Sequence, residues 1–201
     1  VLASEDGVPR LCIAELAGVE RRRIGSFDNS RGPADLVFDR TPALLLDCPD
    51  AVGAALALMA RGAIVTAFEQ VGGAEALMLR ARDYAVTRKA FGQPIGAFQS
   101  VKHRIAELYG LVEIARANAL HAAANAEGPG LVRHAAAARL SATEAYDTAA
   151  RDCIQIHGGI GVTWEAGLHL HMRRTRTLAI EGGNMIFWED RLVDDLAGEM
   201  A

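Results

Sequence analysis

Aromatic residues make up only 5% of the 201 positions, and cysteine occurs three times. Cys12, Cys48 and Cys153 lie far apart and show no CxxC spacing. An odd, unpatterned set of this kind argues against a disulfide framework or a zinc site and points to reduced thiols, hence a cytoplasmic location. Neither sign of charge dominates: 21 basic against 25 acidic residues give a formal net charge of −4, so there is no electrostatic basis for a nucleic-acid partner. There is no unbroken run of about 18 apolar residues, and no membrane span is expected. The opening Val1-Leu2-Ala3-Ser4-Glu5-Asp6-Gly7 has neither an initiator Met nor signal-peptide architecture, and reads as a chain entered in mid-course.

What is present divides into two regions of different period. With 51% hydrophobic and 23% charged residues, the composition is that of a globular chain. Abundant alanine and few aromatics favour closely packed helices over a β-sandwich. Residues 1–48 read as β-structure, with short apolar runs at Leu11–Leu16 and Asp35–Asp39 between Gly/Pro turn signals. Two or three strands this short do not make an independent sheet. Residues 49–201 carry the helical period. Asp50 is a plausible N-cap for a proline-free helix over about 50–88. A second helix shows an apolar stripe at Val101, Ile105, Leu108, Val112, Ala115 and Ala119 and stops before Gly128-Pro129-Gly130. Further helices are expected over about 131–157, 164–179 and 184–197. The fold class expected is mainly α: an antiparallel four-helix bundle preceded by a short fragment of an antiparallel β-domain.

Three glycine-containing breaks carry polar groups that a packed bundle does not require. The first is Arg88-Lys89-Ala90-Phe91-Gly92-Gln93-Pro94-Ile95, followed by Phe98-Gln99. A guanidinium can fork onto phosphate oxygens while an aromatic face takes a flat ring. A cation that stabilises a helix carboxy terminus by roughly 0.3–1 kcal/mol is the simpler account on pattern alone. The second is Gln155-Ile156-His157-Gly158-Gly159-Ile160-Gly161. Its three glycines let a ligand approach the backbone, and a plain helix-stop loop explains them equally well. The third is Leu178-Ala179-Ile180-Glu181-Gly182-Gly183-Asn184. A carboxylate buried after three apolar residues would have a raised pKa, which suits a general base. A glutamate in a solvated helix-end loop is the commoner arrangement. For metal the expectation is none: no Glu is followed three residues later by His, and His169 and His171 do not share a helix face.

Taken together and in this order, the three segments resemble the acyl-CoA dehydrogenase family. The first is similar to its R-x-x-F-G-x-x-(I/L)-x-x-x-Q segment, the second to its Q-x-x-G-G-x-G loop, and Glu181-Gly182-Gly183 to the E-G-T element that carries the catalytic base in many members. Residues 28–38 are similar to the end of the family's middle β-domain. The resemblance implies a flavoenzyme that uses FAD to oxidise an acyl-CoA thioester to the 2,3-enoyl-CoA. Glu181 would then remove the α-proton, with its own backbone N–H helping to polarise the thioester carbonyl, while a β-hydride passes to the flavin. Arg88, Phe91, Gln99, Gln155, Gly158 and Gly159 would bind FAD across a dimer, and Gly182 would lie against the substrate. A homodimer or homotetramer and an electron-transfer flavoprotein, or a similar acceptor, are the implied partners.

The resemblance has gaps. Gly183 and Met185 stand where the family's E-G-T-x-Q has Thr and Gln. Leu58–Ala63 holds no acidic residue at the alternative position of the base, which favours Glu181. The family's amino-terminal helical domain and the first half of its β-domain have no counterpart in this sequence. A second reading is therefore a non-catalytic partner subunit that lends helices and part of an FAD pocket to another chain. A third is a related flavoprotein acting on another carbon acid, such as a nitroalkane.

Overall fold

The computed structural model describes residues 1–200. Five helices dominate it: α1 (Ala51–Thr87), α2 (Gln99–Ala124), α3 (Leu131–His157), α4 (Leu168–Ile180) and α5 (Met185–Met200). The chain forms two compact units, Val1–Met59 and Ala60–Ala201, and the division between them falls inside α1.

The amino-terminal unit is built from five short strands: β1 (Leu2–Glu5), β2 (Val8–Ala14), β3 (Glu20–Arg23), β4 (Ala34–Val37) and β5 (Ala43–Leu45). β1 and β5 flank β2 in an antiparallel sheet, while β3 and β4 form a separate antiparallel ribbon. The arginine run Arg21–Arg23, which carries no apolar pattern, is strand β3. That is why composition suggested fewer strands than exist. Cys12 is buried, whereas Ile13, Leu44 and Leu45 are exposed. Asp50 caps α1 as expected: its Oδ1 accepts the Gly53 N–H at 2.8 Å.

Alanine sets the packing of the helical unit. Ala60, Ala67, Ala74 and Ala81 recur every seventh residue along α1, and all four are fully buried. On α2, Ala115, Ala119 and Ala122, spaced by four and three, are fully buried beside Leu108 and Val112. A side chain of one carbon contributes little transfer energy by itself, about 0.8 kcal/mol per buried methylene-sized group. What it allows is close approach of backbones. Gly73 of α1 shows how close: a Cβ there would lie 2.6 Å from the Tyr146 ring of α3. α3 is the central helix, packing against α2, α4 and α5 and hydrogen-bonded to α1 through Gln70.

Three details depart from expectation. The break after α1 is not a plain loop but a tight hairpin, β6 (Lys89–Ala90) and β7 (Gln93–Pro94), followed by a 3₁₀ turn over Ile95–Ala97. The fourth helix starts at Leu168 rather than about residue 164, because a 3₁₀ turn fills Gly158–Val162 and Gly167 enters left-handed space at φ 65°. Finally, α1 is long and apolar enough, by length and composition, to cross a bilayer, with a stretch of mean hydropathy 1.8. Its apolar sequence is interrupted by Arg61 and Glu69, so it holds no unbroken apolar run of that length. In this fold α1 supplies a bundle face, and its fully buried Gln70 is hydrogen-bonded to α3.

The alanine stripe makes a direct prediction. Ala74→Leu should lower stability by about 1–3 kcal/mol through overpacking, read as a shifted urea midpoint. Ala76→Leu, on the exposed side of the same turn, should leave the midpoint within about 0.5 kcal/mol.

Candidate functional site

The hairpin after α1 turns through Phe91 and Gly92, both at positive φ (52° and 80°). Two successive positive φ values are what a two-residue hairpin turn with the right twist demands, and Asn-Gly is its usual solution. A phenylalanine there is strained by about 1–3 kcal/mol, yet its ring is 95% exposed and packs edge-on against Phe98, at 6.2 Å. An aromatic side chain held out at a strained position gains nothing for the fold. Behind it the hairpin is pinned to the helix end: Arg88 N–H donates to Tyr84 O at 2.8 Å, and Ile95 N–H to Arg88 O at 2.8 Å.

Phe91 forms one wall of a half-open groove of about 320 Å³. Ile95, Phe98 and Arg104 line it from the hairpin side and α2, and Gln155 and Ile156 from the end of α3. The first and second segments singled out in the sequence, far apart along the chain, therefore share one groove through Phe91 and Gln155. Arg88, Gln99, Gly158 and Gly159 are exposed close by in sequence but are not part of the lining. Arg104 escaped the sequence reading. It supplies a cation to the groove and is held by an ion pair with Asp152. The available signal was spacing, since Asp152 lies three residues before Gln155, on one face of α3.

The second loop is fixed by His157. Its Nδ1 lies 2.7 Å from Cys153 O, so the Nδ1–H donates there. The ring stacks on Tyr84 of α1 at 4.1 Å, and the Tyr84 hydroxyl donates to His157 O at 3.4 Å. Gly161 then passes so close to α3 that a Cβ would sit 2.6 Å from Ile154 O. Cys153 lies beside His157, but burial pushes its thiol up to about 11. It is a neutral core thiol and no nucleophile.

At the third segment the structure shows the solvated helix-end loop rather than a buried carboxylate. Glu181 is exposed and Ile180 before it is 70% exposed. What is buried is the attachment of the loop. Arg139 of α3, 1% exposed, donates to the main-chain oxygens of Leu178 and Glu181, the latter at 3.1 Å. It also donates to Gln70 Oε1 at 2.6 Å and Thr143 Oγ1 at 2.7 Å. Burial lowers its pKa to about 10, against the opposing pull of the Glu181 charge, so it remains a cation at neutral pH. The Glu181 N–H is committed to Thr177 O at 3.0 Å. A thioester carbonyl could reach that N–H only as a second acceptor, a weaker arrangement than a free N–H. No residue of this loop lines the groove at Phe91.

Glycine at position 183 has a steric reason. Its φ is 109°, and a Cβ would lie 2.6 Å from Phe187 Cδ1 and 2.9 Å from Trp188 Nε1. A threonine does not fit. Asn184 instead accepts the Phe187 N–H at 2.9 Å and so caps α5. Nearby, Arg174 is paired with Glu69 of α1, and Trp164 stacks on His169 at 4.2 Å. Among the described residues no group of three or more His, Cys, Asp or Glu is placed to hold a metal.

Residues 52–185 match the sequence profile of the acyl-CoA dehydrogenase C-terminal domain. The chain belongs to the acyl-CoA dehydrogenase family. It is 44% identical over 152 residues to the acyl-CoA dehydrogenase IpdE2 of Mycobacterium tuberculosis, covering 75% of this chain and 44% of that protein. Its fold superimposes on a Tcur3481-Tcur3483 steroid ACAD variant with a TM-score of 0.84 at 25% identity, covering 96% of this chain and 53% of the other. The butyryl-CoA dehydrogenase of Megasphaera elsdenii gives 0.83 at 24% identity, with 90% and 49% covered. The chain thus spans about half the length of these family members.

The groove suits a dinucleotide end in chemical kind. An exposed aromatic face, a fixed guanidinium and an amide side chain converge on a space open to solvent. The Glu181 loop, with glycines at φ 68° and 109°, leaves the backbone uncovered beside a carboxylate. Gly183→Ala should destabilise the protein by about 1–3 kcal/mol through strain at positive φ. The same replacement at Gly159, which has open space and negative φ, should fall within about 0.5 kcal/mol. Thermal unfolding of the two variants compares them directly.

Proposed function

We propose that this chain is the carboxy-terminal part of a flavoenzyme that oxidises an acyl-CoA thioester to the 2,3-enoyl-CoA, with Glu181 as the base. The observation that carries the reading is the convergence of Phe91 and Gln155 on one groove beside the guanidinium of Arg104. Phe91, Arg104 and Gln155, with Arg88, Gln99, Gly158 and Gly159 around them, would hold FAD. Bound FAD supplies the hydride acceptor for the substrate's β-carbon.

The residues of the chain do the rest. Phe91 offers a ring face at the mouth of the groove, and its strain pre-sets that ring before any ligand arrives. Arg104 brings positive charge, kept in place by Asp152. Glu181, at the end of α4, takes the α-proton and becomes the neutral acid, the electron pair of the C–H bond moving into the forming 2,3 double bond. Gly182 lets the acyl chain lie against the backbone. The partners proposed are an acyl-CoA substrate, an electron-transfer flavoprotein or similar acceptor, and further copies of the subunit in a homodimer or homotetramer.

The second reading, a partner subunit that lends a half-pocket without catalysing, draws support from Gly183 and Met185 at positions where the motif has Thr and Gln. One experiment separates the two. The absorption spectrum of the flavin-loaded enzyme is followed during anaerobic addition of an acyl-CoA panel. Bleaching in the wild type, lost in Glu181→Gln with flavin retained, is the expected outcome. Unchanged bleaching in Glu181→Gln would sink the base assignment, and activity that appears only on mixing with a second subunit would establish the partner reading.

The groove has its own test. Phe91→Gly should raise the unfolding midpoint by removing about 1 kcal/mol of strain, while weakening flavin retention during gel filtration. A variant equally stable and equally yellow would show that Phe91 serves neither purpose.

A further inference from the structure

We infer that Arg139 is a positioning residue for the base: from inside the bundle it fixes the main chain that presents Glu181. The inference rests on the reading of Glu181 as the base and adds to it a residue that touches neither substrate nor cofactor.

Arg139 is an improbable residue for its place. It lies on α3 between alanines, with Ala135, Ala136, Ala138 and Ala142 all fully buried around it. Burying a guanidinium here is unfavourable, and an apolar side chain of similar volume would generally serve stability as well or better. The desolvation is visible in its lowered pKa, and its Nε has no hydrogen-bond partner among the described residues. Stability alone does not explain it.

Its other nitrogens are fully directed. One terminal nitrogen is held by Gln70 and Thr143, which are themselves 3.1 Å apart with the Gln70 amide donating. Those two contacts fix the plane of the guanidinium. The second terminal nitrogen then points at the exit of α4, where it donates to Leu178 O and Glu181 O. These are carbonyls that a helix end leaves without intrahelical partners. A cation at a helix carboxy terminus also meets the negative end of the helix dipole. The consequence is geometric. Positions 178 and 181 are tied to α3 through their main-chain oxygens, which sets where the Glu181 side chain leaves the backbone.

The test uses the whole flavoenzyme and measures the rate of flavin reduction by a saturating acyl-CoA, the acyl-CoA dissociation constant, and the isotope effect with α-deuterated substrate. Arg139→Met should keep bound flavin and bind acyl-CoA within about threefold. Its reduction rate should fall by about 10²-fold, the order expected for a catalytic group misplaced by about 1 Å, with a larger α-deuterium isotope effect. Arg139→Lys, which restores the charge but can tie only one carbonyl well, should recover part of that loss. A reduction rate within twofold of wild type in Arg139→Met overturns the inference. If that variant does not fold, Arg139→Lys decides alone: wild-type rate and isotope effect overturn it, and a tenfold or greater loss with unchanged acyl-CoA binding supports it. Glu181→Gln is run alongside. Should it still reduce the flavin, the base reading fails whatever Arg139 does. Should it be inactive while both Arg139 variants are normal, only the present inference fails.

Discussion

Everything in the helical unit depends on how closely α3 can be approached, and alanine decides that. Along α3 the buried face is Ala135, Ala138, Ala142, Ala145 and Ala149, and along α1 it is Ala60, Ala67, Ala74 and Ala81. Neighbouring backbones come near enough for side chains rooted on different helices to meet in the centre. Gln70 of α1 reaches Thr143 and Arg139 of α3, and Arg139 reaches the end of α4. With leucines at the same positions the helices would stand further apart, and those short polar bridges would not close.

One helix thereby serves two sites. The amino-terminal half of α3 carries Arg139, which holds the Glu181 turn. Its carboxy-terminal end carries Asp152, Gln155 and His157, which orient Arg104, line the groove and anchor the glycine loop. From Arg139 to Gln155 is 16 residues, or about 24 Å along a straight helix. A rigid element of that length gives a fixed separation between the place proposed for a proton acceptor and the place proposed for a dinucleotide. Neither loop needs to be rigid by itself, because each is tied to the same spine.

The sequence made the helices legible because their ends are written in residues with few other uses: Asp50 at one start, Gly128-Pro129-Gly130 at one stop, Gly158 at another. It made the family legible through three short segments, because a glycine break with polar flanks has few local structural uses and stands out from an alanine-rich core. Other features left no local mark. The run Arg21–Arg23 is a strand because β4 pairs with it, not because of any apolar alternation. Phe91 occupies a turn position where propensity would put asparagine. Arg139, read along the chain, is indistinguishable from a charge on a solvated helix face. Only the fold shows that face turned inward. At Glu181 the sequence left burial and a solvated loop both open. Leu178 faces the core while Ile180 and Glu181 face out, so the solvated loop is what forms.

The replacement at position 183 illustrates how a motif can change without its function being decided. A threonine there would need a Cβ within 3 Å of Phe187 and Trp188, and Trp188 is itself fully buried. The glycine and the tryptophan are thus one packing solution, with the bulk on the first turn of α5 and none on the loop. Asn184 caps that helix. What the change removes is a hydroxyl in the loop. Beside Gly183 stand the glutamate, the left-handed Gly182 and the arginine behind the loop. A loop without a positional demand would need no desolvated guanidinium aimed at its backbone, because an apolar core would be at least as stable there. A desolvated guanidinium aimed at this backbone is therefore a stronger argument for the proposed role of Glu181 than the glycine at 183 is against it.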